Sequence, residues 1–163
     1  MFLRTVNLFN ILTSRRRIFY FSTKEIVYSF LYNVNITEVN RLNMYSLLAH
    51  WKDSSRIQIY VSELFEFLQA DGLDLQNSLS VKDCERIKHY LKSLLDSISY
   101  DGEINWGRII VILIFMHFFV NKISRNDCIK RYFVNFLINF IHDNYATYII
   151  ENGGWIHLIN ILN

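Results

Sequence analysis

The longest apolar run in the chain extends from Ile109 to Val120 and is interrupted only by His117. It is shorter than the stretch of about 20 apolar residues that spans a bilayer. A short helix that is apolar on all sides is normally buried at the centre of a domain. Asn105, just before this run, is a residue type that commonly caps a helix N-terminus. The pattern therefore predicts a buried central helix that begins after Asp101 and Gly102, with Asn105 as its cap.

Apolar residues recur at helical spacing along most of the remaining chain, and no segment alternates cleanly between apolar and polar residues as a strand does. Ser80 and Asp83 have the spacing of a helix N-terminal cap, as do Ser124 and Asp127. The helix that follows the second cap is expected to end near Asp143 and is long enough to pair antiparallel with the central helix. The fold class is therefore all-α. The other helices are predicted over residues 22–35, 37–53, 57–70, 81–99, 145–151 and 155–162.

Length and composition narrow the class of function. The 163 residues suffice for one domain with a core, and the net charge of +2 comes from scattered Lys and Arg, so nucleic acid is not an expected partner. Cys84 and Cys128 have no metal-ligand spacing and are interpreted as buried free thiols in a reducing compartment. No nucleophile stands with a base or a metal set. We therefore expect no catalytic residues, no metal, no cofactor and no enzymatic activity.

The first turn of the central helix contains two residues that disfavour a helix start. Gly107 has a helix propensity about 1 kcal/mol worse than Ala, and the cation of Arg108 opposes the helix dipole by roughly 0.3–1 kcal/mol. Two unfavourable choices side by side indicate a binding site. A Gly allows another backbone to approach closely, and an Arg at this position is suited to bind a carboxylate.

Two motifs carry a resemblance to a known family. The run Asn-Trp-Gly-Arg at 105–108, after an Asp-Gly, resembles the first homology motif of the Bcl-2 family. The run Glu-Asn-Gly-Gly-Trp at 151–155 resembles the family's second homology motif. The resemblance implies a Bcl-2-like bundle of about seven or eight helices around a central apolar hairpin. It covers residues 22–163, which would be the domain, after an N-terminal segment 1–21.

The activity that the resemblance implies is binding of an amphipathic BH3 helix in an apolar surface groove. Arg108 would pair with the ligand's Asp, Asn105 would donate to the same carboxylate, and Gly107 would leave room beside it. Trp106 and Trp155 would pack inside and brace the groove floor, while Gly153 and Gly154 turn the chain. The residues expected to line the groove are Tyr45, Leu48, Tyr60, Leu64, Leu91, Leu94, Leu95, Ile98 and Val111.

The segment 48–53 is faintly similar to a BH3 motif, but Lys52 replaces its small Gly. This departure favours a receptor of BH3 helices over a donor. The implied protein is an anti-apoptotic member, and the Asn-, Ile-, Tyr- and Phe-rich composition is typical of a large DNA virus such as a poxvirus. It would bind BH3-only proteins, Bak and Bax in the host cytoplasm or at the mitochondrial outer membrane.

Other interpretations stay open. Residues 1–21 fit a packed extension, an Arg-rich mitochondrial presequence or a disordered segment. The sequence does not include the C-terminal apolar anchor that many family members have, and both a removed anchor and a natural lack of one stay open. It could be a monomer or a dimer that exchanges its first helix. The alternative functions are a pro-apoptotic effector and a groove-less relative that binds a host signalling adaptor.

Overall fold

The structure is a computed structural model that describes residues 23–28, residue 31 and residues 54–162. These residues are helical except for short connections, and they contain no β-strand beyond an isolated bridge between Asp74 and Ser78. The all-α fold class is confirmed. The helices are α1 (23–28), α2 (Ser54–Ala70), α3 (Val81–Ser97), α4 (Trp106–Ile123), α5 (Asp127–Glu151) and α6 (Gly154–Leu162).

Helix α4 is the centre of the domain. It packs on α2 and α5, while α3 and α6 pack on α5. Phe119 joins the layers, because its ring lies 5.5 Å from that of Phe65 on α2 and 5.2 Å from that of Phe133 on α5. Each large apolar side chain that is fully buried in this way stabilises the fold by about 1.5–3 kcal/mol. The predicted apolar hairpin of α4 and α5 is therefore present.

Helix α4 extends three residues beyond the predicted run, to Ile123. Among the described residues it has a length and composition that would also allow it to cross a membrane. Core helices of other domains share those properties, and 56% of α4 is buried inside the protein. In this structure the helix serves as the core.

The N-terminal and C-terminal helices meet at a buried hydrogen bond. The indole Nε1 of Trp155 donates to Oγ1 of Thr23 over 2.9 Å, and Thr23 is fully buried. Ile26 and Val27 of α1 belong to the same core. Residues that are far apart in the sequence are thus held together at the end of the bundle.

The local signals for helix starts have two different outcomes. Ser80 and Asp83 form the predicted reciprocal capping box at the start of α3. Ser124 does not cap α5; the N-cap is Asn126, whose side chain accepts from the backbone N–H of Cys128. Ser124 instead ends α4, and its Oγ accepts from the N–H of Asn126. The cap lies two residues later than predicted because the turn uses both side chains.

The predicted helix end near Asp143 is wrong. Helix α5 is 25 residues long, from Asp127 to Glu151, and includes the segment predicted as a separate short helix. Ile141, Tyr145 and Ile149 are all buried at a spacing of four, so burial of one stripe outweighs the turn preference of Asp and Asn at 143–144. The start of α2 at Ser54, earlier than predicted, is a smaller difference.

The remaining predictions concern the N-terminal third of the chain and the two cysteines. Residues 1–21 and the predicted helix 37–53, with the BH3-like segment 48–53, lie outside the described residues. The predicted first helix is helical at 23–28 and at residue 31. Both cysteines are free, but only Cys84 is buried; Cys128 is exposed in the first turn of α5, so its predicted burial is wrong.

We predict that Trp155→Phe and Thr23→Val are strongly coupled. Each single variant removes the buried hydrogen bond between the two side chains, so each should lose about 1–3 kcal/mol in free energy of unfolding. Chemical denaturation of the single and double variants gives the coupling. Additive losses would show that the hydrogen bond does not connect the two helices energetically.

Candidate binding site

Helices α2 and α3 carry apolar side chains that the core does not cover. Tyr60 and Phe67 on α2 are 62% and 52% exposed. Leu94 on α3 and Ile98, the C-cap residue of α3, are partly buried and pack against the core. These surfaces and the first turn of α4 contain the described residues that the sequence assigns to the candidate binding site.

The two helices are joined near the C-terminal end of α2. The ring of Phe67 packs edge-on against that of Tyr90, with centroids 5.4 Å apart. Asp71 accepts from Nη2 of Arg86 over 2.6 Å and from the hydroxyl of Tyr90 over 3.4 Å. This contact holds α2 and α3 together at one end, while α2 otherwise packs on α4 and α3 on α5. Phe67 and Tyr90 were not predicted, because an exposed Phe on a mainly polar helix face has no distinguishing sequence pattern.

The predicted lining residues divide into three groups. Tyr60 is exposed, and Leu64, Leu94, Ile98 and Val111 are partly buried against the core, so all five have surface that a ligand could contact. Tyr45 and Leu48 lie outside the described residues.

Leu91 and Leu95 form the third group and are fully buried. Together with Ile87 they form the buried stripe of α3, at a spacing of four residues. The partly buried Leu94 and the C-cap residue Ile98 lie beside this stripe. In this conformation they support the site from beneath and present no surface to a ligand.

Arg108 is fixed at both its backbone and its side chain. Its backbone N–H donates to Oδ1 of Asn105 over 3.0 Å, which makes Asn105 the predicted N-cap of α4. Its guanidinium makes two parallel bonds to Asp101: Nη1 donates to Oδ1, and Nη2 donates to Oδ2 over 2.7 Å. Nη1 also donates to the carbonyl oxygen of Glu103 over 2.5 Å. Paired planar bonds of this kind fix orientation as well as distance.

The loop before α4 holds Asp101 in place for this contact. Oδ1 of Asp101 also accepts from the N–H of Glu103 over 3.1 Å. Gly102, between them, has φ of 77°, a left-handed conformation that glycine adopts without steric cost. The hydrogen bonds from Arg108 lower the pKa of Asp101 from 3.8 to about 2, and the backbone of Glu103 contributes. Asp101 is therefore ionised throughout the physiological range.

Asp101 is the important residue that the sequence did not identify. Arg108 was expected to wait for a ligand carboxylate, whereas a carboxylate of the same chain already contacts it. The available signal was an Asp-Gly turn seven residues before the Arg, which has the length to fold back on the first turn of α4. The pair remains accessible, with 21% of the Arg108 side chain and 35% of the Asp101 side chain exposed.

The two motif tryptophans pack against each other behind this site. The rings of Trp106 and Trp155 have centroids 6.2 Å apart, and Trp106 also contacts Tyr148 and His157 at 5.8 and 5.9 Å. Trp155 is buried and Trp106 partly so; Nε1 of Trp106 is a buried donor without a partner among the described residues. The two indoles therefore pack against each other, and Trp106 also packs against α5 and α6.

The glycines before Trp155 make the predicted turn into α6. Gly153 and Gly154 have φ of 92° and 71°. A Cβ on Gly153 would lie 3.0 Å from Cβ of His157, whereas one on Gly154 would meet nothing within 4 Å. Gly107 lies in the first turn of α4, where the sequence predicted it, and is partly buried.

These features define the class of fold: an all-α bundle around one apolar helix, with uncovered apolar side chains and a fixed guanidinium. Among the described residues no group of three or more His, Cys, Asp or Glu could hold a metal ion. The family described as apoptosis regulator proteins, Bcl-2 family, matches residues 57–155. This is well over half of the 163 residues and contains the run 105–108, so the chain belongs to the Bcl-2 family. No solved structure matches it significantly.

We predict that the carboxyl of Asp101 titrates near pH 2 and that Arg108→Ala returns its pKa toward 3.8. Because the folded-state pKa is depressed, the pair adds stability above the unfolded-state pKa and loses it as pH falls toward 2. Side-chain carbonyl NMR of Asp101 in the wild-type protein and in the variant measures the shift. An unchanged pKa in the variant would mean that the ion pair does not persist in solution.

We predict that Gly153→Ala destabilises the protein more than Gly72→Ala. Both positions have positive φ, which costs an L residue roughly 1–2 kcal/mol. Only at Gly153 would the added methyl also contact another side chain. Thermal unfolding of the two variants compares them directly, and equal losses would show that His157 moves aside without cost.

Proposed function

We propose that this protein inhibits apoptosis by binding the BH3 helices of pro-apoptotic Bcl-2 proteins beside α2, α3 and α4. The observations that carry the proposal are the accessible guanidinium of Arg108, fixed in the first turn of the central helix, and the uncovered apolar side chains of α2 and α3. Membership of a family of apoptosis regulators supports it. The proposed partners are BH3-only proteins, Bak and Bax, and the result is a block of mitochondrial outer-membrane permeabilisation.

Apolar contacts would supply most of the affinity. A BH3 helix has four apolar anchors on one face, and each contributes about 1.5–3 kcal/mol when buried, before the costs of association. Nanomolar binding requires about 12 kcal/mol net. Tyr60, Leu64, Leu94, Ile98 and Val111 have the exposed or half-buried apolar surface that such anchors need. Tyr45 and Leu48 remain proposed contributors outside the described residues.

The polar contacts would set the register of the ligand. Arg108 would bind the Asp that BH3 helices carry, through a charge-assisted hydrogen bond. Oδ1 of Asn105 already accepts from the backbone of Arg108, which leaves the Nδ2 donor of the amide for the same carboxylate. Gly107 would let the small residue beside the ligand's Asp approach the first turn.

An inhibitor is proposed in preference to a pore-forming effector, because an effector needs a working BH3 motif of its own. In the segment 48–53, Lys52 occupies the position of the small Gly that lets a BH3 helix fit closely in a groove. We further propose a viral source on the basis of composition, and action in the host cytoplasm or at the mitochondrial outer membrane, where family members often reside. The protein would act as a monomer or as a helix-exchanged dimer.

One observation favours a second candidate, a relative that binds a signalling adaptor without using a groove. Leu91 and Leu95 are buried, and Phe67 contacts Tyr90 across α2 and α3, so the described surface between these helices is narrower than the lining prediction implied. Binding of a BH3 helix would then require α2 and α3 to move apart.

We predict that BH3 peptides bind the wild-type protein with nanomolar to micromolar Kd and that Arg108→Ala weakens binding by about 1.5 kcal/mol or more, the scale of a hydrogen bond to a charged group. Isothermal titration calorimetry with a panel of peptides measures both. Arg125→Ala is the matched control, because Arg125 is an exposed arginine in the turn between α4 and α5.

The outcomes separate the candidates. Loss of affinity in Arg108→Ala but not in Arg125→Ala supports the BH3 receptor. Well-folded wild-type protein that binds no peptide in the panel contradicts it and favours the adaptor-binding candidate. Death of cells on expression, instead of protection against a pro-apoptotic stimulus, would identify an effector.

A further inference from the structure

The contact between Asp101 and Arg108 uses only one side of the guanidinium. An arginine has five N–H donors in a planar fork. In this structure both donors of Nη1 and one donor of Nη2 are engaged, by the carboxylate of Asp101 and the carbonyl of Glu103. The remaining donors are the Nε–H and the second N–H of Nη2, which have no partner among the described residues. These two donors lie on the same edge of the guanidinium and form a second fork.

The engaged edge is held by a closed set of bonds. The carboxylate of Asp101 accepts from two guanidinium nitrogens and from the backbone N–H of Glu103, whose carbonyl in turn accepts from Nη1. A carboxylate from outside would have to break all of these bonds to replace Asp101. The open edge needs no such exchange, because its donors make no hydrogen bond to the described residues.

We propose that Asp101 is a positioning residue for ligand binding: it holds Arg108 by the Nη1–Nη2 edge and leaves the Nε–Nη2 edge to bind the carboxylate of a partner helix. This inference rests on the proposed function and identifies the residue that prepares its polar contact. Arginine has many rotamers and loses them on binding. A guanidinium that is already oriented loses less of this freedom when the ligand arrives.

The negative charge of Asp101 would act against the binding of an anionic ligand. Asp101 neutralises Arg108, and Glu103 adds a further negative charge nearby, so the long-range attraction for an anionic ligand is weak. The positioning role therefore predicts an effect of Asp101 that differs in sign from the effect of its charge. Removal of Asp101 would strengthen the binding of a carboxylate if charge alone mattered, and would weaken it if orientation matters more.

The experiment is a double-mutant cycle between the protein and its ligand. Calorimetry measures Kd for wild type, Asp101→Asn, Asp101→Glu and Glu103→Gln, each with a BH3 peptide that binds wild type and with the same peptide carrying Asn in place of its Asp. Glu103→Gln is the matched control, because it removes a neighbouring charge and keeps the backbone carbonyl that contacts Arg108. Thermal unfolding confirms that each variant is folded.

We expect Asp101→Asn to weaken binding of the Asp peptide by about tenfold and to leave the Asn peptide unchanged within about twofold. Asp101→Glu should recover part of the loss, and Glu103→Gln should bind as wild type or more tightly. An equal loss for both peptides would mean that Asp101 only supports the loop, and tighter binding by Asp101→Asn would mean that it competes with the ligand; either result overturns the proposal.

The two proposals fail in different ways. Loss of affinity in Arg108→Ala together with no peptide-dependent effect at Asp101 overturns the positioning role and leaves the BH3 receptor intact. If wild-type protein binds no peptide, both proposals are overturned.

Discussion

The structure depends on the burial of helix α4. Almost every side chain between Ile109 and Ile123 is apolar, so the helix needs cover on all sides and the other elements supply it. Helices α2 and α5 pack directly against α4, and α3 and α6 are placed through α5. The aromatic contacts of Phe119 with both layers show how one side chain connects the arrangement.

The candidate site follows from that constraint. Asn105 caps α4 at the point where the chain leaves the core, so Arg108 stands in the first turn of the most firmly held helix. The backbone of Arg108 is therefore held in place, and Asp101, positioned by the turn at Gly102, orients its guanidinium. Sites on rigid elements hold their geometry better than sites on loops. The proposed binding of a helix with one carboxylate and several apolar anchors needs both parts, a fixed cation and adjacent apolar surface.

The same core also connects the two family motifs. Trp106 from the first and Trp155 from the second lie in ring contact, and the indole of Trp155 is hydrogen-bonded to Thr23 of α1. The first turn of α4 is thereby supported from behind by residues near both ends of the described chain. In the proposed binding mode this arrangement accounts for the bulky indole two residues before the arginine: Arg108 would contact the partner while Trp106 anchors the turn.

The sequence by itself determined the helical class, the central helix, its Asn105 cap, the Ser80 capping box and the two motifs of the family. Those features rest on local periodicity and on short-range hydrogen bonds, which neighbouring residues decide. The path of α5 through residues 143–144, the cap at Asn126 and the division of the α3 stripe into buried Leu91 and accessible Leu94 required the packed helices. In the sequence, the residues on either edge of an apolar helical stripe look equally suited to burial, and only the packed neighbour decides which of them is covered. The pairing of Arg108 with Asp101 likewise depended on the folded loop, because a sequence shows which charges are present but not which of them meet.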